Sequence, residues 1–218
     1  MALTNNQIND NKIEFIRLLR TIKREGADIE RLIKKLENSD FFYAPASTKY
    51  HAAYEGGLCQ HSLNVYYNFL ELAKTHNDLD PICYDDESVI IMCLLHDISK
   101  MNIYEKTVKN VKKYCDDGDK YDEMGKFRWI AEPGFKTKDN TFVYGSHEMT
   151  SEFIVRQFIP LNLDESVAIL HHMGGMHYDC AQDNLGAIFS NYHSALILHT
   201  ADMMSTYIDE RENNESVN

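Results

Sequence analysis

Apolar residues recur along much of this chain at the three- and four-residue spacing of amphipathic helices, and the breaks in that spacing divide it into elements. Ile13, Ile16, Leu18, Leu19 and Ile22 predict a first helix over residues 11–24, which Gly26 ends. Asp28 suits the N-cap of a second helix carrying Ile29, Leu32, Ile33 and Leu36. A loop with Phe41, Phe42 and Tyr43 follows, and nothing before residue 50 carries chemistry, so residues 1–48 read as a helical collar. Gly56-Gly57 then opens a helix to about residue 74. Leu58, Val65, Phe69 and Leu72 form its apolar stripe, and His61 lies on that stripe.

The next predicted helix, 86–100, contains an unbroken apolar run at 89–95 that delivers His96-Asp97, with Lys100 shortly after. Neighbours on a helix sit about 100° apart, so both side chains reach one point only near a helix end or in a cleft. Lys100, four on from His96, shares its face. An imidazole beside a carboxylate in an apolar segment is costly unless satisfied, either by a mutual hydrogen bond or by a metal ion.

Residues 102–145 are the least regular. Residues 107–112 and 127–130 read as short strands, and Pro133-Gly134 and Asp139-Asn140 as turns, which together predict a hairpin inserted between helices. Helices resume at 146–157, capped by Ser146 and opening with His147, and at 165–173, which ends in His171-His172 before Gly174. A last helix over about 190–209 holds Asp202 among Leu196, Leu198, Met203, Met204 and Tyr207. Residues 210–218 read as an acidic, frayed tail, leaving 49–209 as the main domain.

Composition narrows the setting. At 218 residues with 44% hydrophobic content, one core is the default, and no apolar stretch is long enough to span a membrane. No secretory leader is visible, and the scattered Cys59, Cys83, Cys93, Cys115 and Cys180 suggest reduced thiols, so a cytoplasmic location is expected. A net charge of -12 argues against a stable polynucleotide partner and leaves room for a small anionic substrate at a site with its own positive charge. The insert is nearly balanced, nine Lys/Arg against eight Asp/Glu over 104–145, and holds Phe127, Trp129, Phe135, Phe142 and Tyr144. It is either a lid offering ammonium groups and aromatic faces, or a scaffold whose aromatics pack and whose lysines are solvated.

One buried polar residue is ordinary. Here His61, His96-Asp97, His147, His171/His172 and Asp202 are each carried inward by a different helix, which favours a shared cation over separate hydrogen bonds. Imidazole with carboxylate and few thiolates suits manganese, iron, cobalt, nickel, zinc or magnesium.

The ordered series His61, His96-Asp97, His147, His171/His172, Asp202, with Gly56-Gly57-Leu58-Cys59-Gln60-His61-Ser62 and Leu94-Leu95-His96-Asp97-Ile98-Ser99-Lys100, resembles the HD-domain superfamily of metal-dependent phosphohydrolases. It looks most like small bacterial and phage members and the HD domain of a bacterial 3′-to-5′ exoribonuclease, over about residues 50–207. The resemblance implies an all-α HD-domain helical bundle, with the inserted β-hairpin around residues 104–145 as a departure. It also implies that His61, His96, Asp97 and Asp202 hold a first divalent metal. Asp97 would bridge to a second ion on His147 and His172, with His171 left open, and Lys100 would contact a phosphoryl oxygen or steady Asp97. Hydrolysis of a nucleotide or other small phosphoester by metal-activated water follows, with an exoribonuclease, a non-catalytic nucleotide-binding module or an oxygenase as alternatives. Self-association stays open.

Overall fold

The computed structural model of the chain describes residues 3–139, 141, 145–176 and 184–210. Helix α1 (Asn5–Leu19) starts at a capping box, Thr4 accepting from Gln7 N while the Gln7 side chain returns to Thr4 N. The helix starts, at that box, and ends earlier than the apolar spacing suggested, and the buried Ile22 packs from the turn beyond it. Helix α2 (Ile29–Glu37) is capped by Asp28 as expected. Phe15, Phe41 and Phe42 pack tilted or edge-on between them, with ring centroids 5.1–5.7 Å apart. Arg24, in the α1–α2 connection, donates to Pro160 O at 2.9 Å and to both Glu165 oxygens at 2.6 Å, which fastens the collar to the body.

Helix α3 (Gly57–Lys74) packs on α4 (Asp86–Leu95) and on α8 (His193–Met204). Every α4 residue from Ser88 to Leu95 is buried, so this helix is apolar all round and forms the axis of the body. On one side it meets Phe15, Leu19 and Leu58, and on the other Phe69, Ala168 and Leu198. Helix α5 (His147–Arg156), α6 (Leu163–His171) and α7 (Leu185–Asn191) complete the bundle. The last predicted helix, 190–209, corresponds to α8 and the turn after it, whereas α7 is a helix that the apolar spacing does not mark; Tyr192, whose φ of -136° is extended, separates the two. Beyond α8 the chain continues as a π turn, Ser205–Asp209.

Glycine is required where α3 begins. Gly56 has φ +84°, and a Cβ on Gly57 would lie 2.0 Å from Ala52 O. The close approach lets Ala44 O accept from Leu58 N at 2.9 Å, so the loop backbone caps the helix that carries His61.

The insert is larger than a short hairpin. Strand β1 (Tyr104–Tyr114) pairs antiparallel with β3 (Gly125–Thr137) along its whole length, and β2 (Lys120–Asp122) adds to β3 in the order β1-β3-β2. The chain is therefore a helical domain with a small three-stranded sheet. Pro133-Gly134, expected to turn, lies within β3 opposite Thr107 and Val108. Because β2 covers β3 only at 125–127, Pro133 has no strand on that side among the described residues, and a missing N–H is tolerated there. Phe142 and Tyr144 lie outside the described residues.

Candidate metal centre

Helix ends and a helix interior bring the buried polar groups together. His61 sits inside α3, one turn beyond the glycine pair. Helix α4 stops at Leu95, and Asp97 has left the helical region at φ -109°, ψ 16°, before a short 3-10 turn, Ile98–Lys100. That break, rather than the continuous helix to residue 100 that the pattern suggested, lets neighbouring His96 and Asp97 face one centre. His147 is the first residue of α5, behind its Ser146 cap; His172 follows the last residue of α6; Asp202 projects from α8.

Asp97 stands at the middle and its two oxygens face different partners. Oδ2 lies 3.3 Å from His96 Nε2, 3.7 Å from His61 Nε2 and 2.7 Å from Lys100 Nζ. Oδ1 lies 3.6 Å from both His147 Nε2 and His172 Nε2. Asp202 Oδ1 is 3.1 Å from His61 Nε2. Each of the sets His61–His96–Asp97, His96–His172–Asp202 and Asp97–His147–His172 has its ligand atoms within 4.8 Å of one another. The far nitrogens are already engaged, His96 Nδ1 with Cys93 O at 2.9 Å and His172 Nδ1 with Ile169 O at 2.8 Å. The Nε2 atoms of His61, His96 and His172 and Oδ1 of Asp97 are buried without an aligned hydrogen-bond partner. Buried donor atoms left in this state, converging and of imidazole and carboxylate type, fit a divalent cation.

The electrostatics pull the four histidines in opposite directions around one ionised carboxylate. Burial would raise the Asp97 pKa, but Lys100 and His96 hold it well below the usual carboxylate range. Burial works against the charge on Lys100 as well, yet Asp97 raises its pKa. For His61, burial is outweighed by the Glu210 and Asp202 carboxylates, and its pKa rises to about 10; at His172 burial is likewise outweighed by Asp97, so a cation bound at either ring must displace a proton. Burial lowers His147 to about 3 and lowers His96 also, keeping both rings neutral, the form that binds metal.

All six residues expected to hold metal meet here, with Lys100 beside them. His171 belongs to none of these sets and bonds Val167 O at 2.9 Å. Two nearby residues were missed. His51, which no pattern in the sequence singles out, lines the pocket with its ring centroid 5.0 Å from that of His61, and burial lowers its pKa to about 4. Glu210, assigned to the frayed tail, is buried with its oxygens 3.0 and 3.1 Å from His61 Nδ1. Over the centre opens a pocket walled by Tyr50, Met173, Met203 and Tyr207, with Lys100, His147 and Asp202 at its floor.

A bundle of buried helices with a His/Asp cluster at its heart defines a helical metal-site domain. The HD domain family matches residues 58–205, and the chain belongs to that family. HD domains bind divalent metals and are in general metal-dependent phosphohydrolases. No curated protein and no solved structure matches the chain. No helix among the described residues is long and apolar enough to cross a membrane.

Proposed function

We propose that this chain is a phosphohydrolase of a small nucleotide, using two divalent ions of the manganese-to-zinc series or magnesium. The observation that carries the reading is the division of Asp97. One oxygen faces His61 and His96, the other His147 and His172, so a single carboxylate joins two sets of donors. His61, His96, Asp97 and Asp202 would hold one ion, and Asp97, His147 and His172 the other. Bound there, the ions supply an acidified water and charge stabilisation for in-line displacement at phosphorus.

The chain's own groups do the rest. Lys100 fixes Asp97 through Oδ2 and keeps its remaining N–H donors for a phosphoryl oxygen at the pocket floor. Tyr50, Met173, Met203 and Tyr207 offer apolar and aromatic surface to a base or sugar above it. The acidic body supports a small substrate over a polynucleotide, which makes an exoribonuclease the second reading. The free thiols of Cys59, Cys83 and Cys93 suit a reducing cytoplasm.

Elemental analysis of purified protein should return about two metal equivalents per chain, as a two-ion centre requires. A phosphate-release panel of nucleoside mono-, di- and triphosphates and cyclic dinucleotides, with manganese added, should contain a substrate. One equivalent or none overturns the two-ion centre, and a silent panel beside degradation of single-stranded RNA favours the exoribonuclease.

The insert's lysines make a further prediction. Lys112 pairs with Asp122 and lies 4.1 Å from the Phe127 ring centroid; Lys109 donates to Thr48 O; Lys106 and Lys136 pair with Glu55 and Glu105. They are engaged locally, which supports the scaffold reading over the lid. Replacing Lys109, Lys112 and Lys113 together with glutamine should leave KM within about twofold, the scale of lost surface ion pairs. A several-fold rise in KM restores the lid.

A further inference from the structure

Glu210 has no place in the metal-holding set above, yet its surroundings are as well ordered as those of the ligands. Its carboxylate is buried at 6% exposure, a costly position unless the charge is used. It arrives there through the π turn Ser205–Asp209, which closes with Glu210 N donating to Ser205 O at 3.0 Å. The extra residue of a π turn redirects the chain, and such turns are frequent at functional sites. Asn68 ties the turn to α3, donating to Ser205 Oγ at 2.9 Å and to Asp209 Oδ2 at 2.7 Å.

The carboxylate is then aimed by a relay of amides. Asn11 donates to Gln60, Gln60 to Asn64, and Asn64 to Glu210 Oε1 at 2.9 Å. Each amide's donor points towards the carboxylate, which leaves the Glu210 oxygens as the acceptors for His61 Nδ1. His96 and His172 rest their Nδ1 on backbone carbonyls, whereas His61 rests on a side-chain carboxyl group. A carboxylate behind a ligating imidazole fixes its tautomer and ring plane and raises its basicity.

We propose that Glu210 is a positioning residue of the metal centre. It holds His61 as the Nδ1–H tautomer, aims Nε2 at the Asp97 and Asp202 oxygens, and strengthens the hold of His61 on the ion. This rests on the reading of His61 as a ligand.

The test needs no substrate. Metal-stripped full-length protein is titrated calorimetrically with manganese(II), as wild type and as Glu210→Gln, which keeps the shape and removes the charge. The variant should bind about 10- to 100-fold more weakly, the usual cost of losing such a partner. In zinc-loaded, 15N-labelled protein the His61 Nδ1–H signal should lie far downfield and move upfield in the variant. Equal manganese affinity within twofold, or an unmoved proton signal, overturns the role of Glu210. Should Glu210→Gln fail to fold, Asn64→Ala keeps the charge and removes one aiming hydrogen bond, and should weaken binding about fivefold; unchanged affinity there overturns the proposal equally. A wild type that takes up no manganese overturns the metal-centre reading itself, an outcome distinct from either.

Discussion

Replacing Asp97 with alanine is expected to abolish phosphate release and to remove most of the bound metal. Both oxygens of this carboxylate are used, one towards His61 and His96 and the other towards His147 and His172, and Lys100 is anchored to it as well. Losing a group that merely supports a ligand costs about 10- to 100-fold, so losing the residue at the centre of both sets should cost more than about 100-fold in kcat/KM. His193→Ala is the control. His193 faces Asp80, away from the centre, accepting from Asp80 N at 3.2 Å, and its replacement should leave turnover unchanged. Steady-state kinetics with metal analysis of both variants decides the matter. Equal losses in the two would discredit the assigned set, and an active Asp97→Ala protein would refute it.

The second large effect is on stability and lies far from that centre. Arg24→Ala should lower the unfolding free energy by about 3–5 kcal/mol, because it strands a buried carboxylate. Glu165 is fully buried and takes both of its short ion-pair contacts from Arg24, while Oε2 also accepts from Asn162 N at the start of α6. Arg24 thus neutralises the carboxylate whose Oε2 closes the capping box of α6. Replacing the pair together by apolar residues should cost much less than removing Arg24 alone, since no charge is then left in the interior. Urea denaturation of the single and double variants measures this directly, and an Arg24→Ala loss below about 1 kcal/mol, the level of an exposed pair, would show that Glu165 finds other compensation.

Much of the centre was legible because its residues violate the local pattern. His61 interrupts an apolar stripe, His96-Asp97 follows an unbroken apolar run, and Asp202 sits among buried neighbours in α8. Each is a polar group where burial is costly, so each signals a partner without any structure. Glu210 sends no such signal. It opens an acidic stretch that reads as solvated, and its burial depends on a π turn that apolar spacing does not encode. His51 was missed for a related reason, since its value comes from packing on the His61 ring across a loop. The sheet was underestimated because Pro133 and Gly134 look like punctuation, and only the unpaired outer edge of β3 makes them compatible with a strand.

The eleven-residue β1 has a further consequence for the molecule in solution. Among the described residues its outer side carries no neighbouring strand, and a long bare strand is a template for adding strands from other chains. Lys106, Lys109, Lys112 and Lys113 all lie on it, so any strand docking there must strip water from several ammonium groups or break the bonds they already make. On this open side of the sheet the lysines thereby act as guards against edge-to-edge pairing.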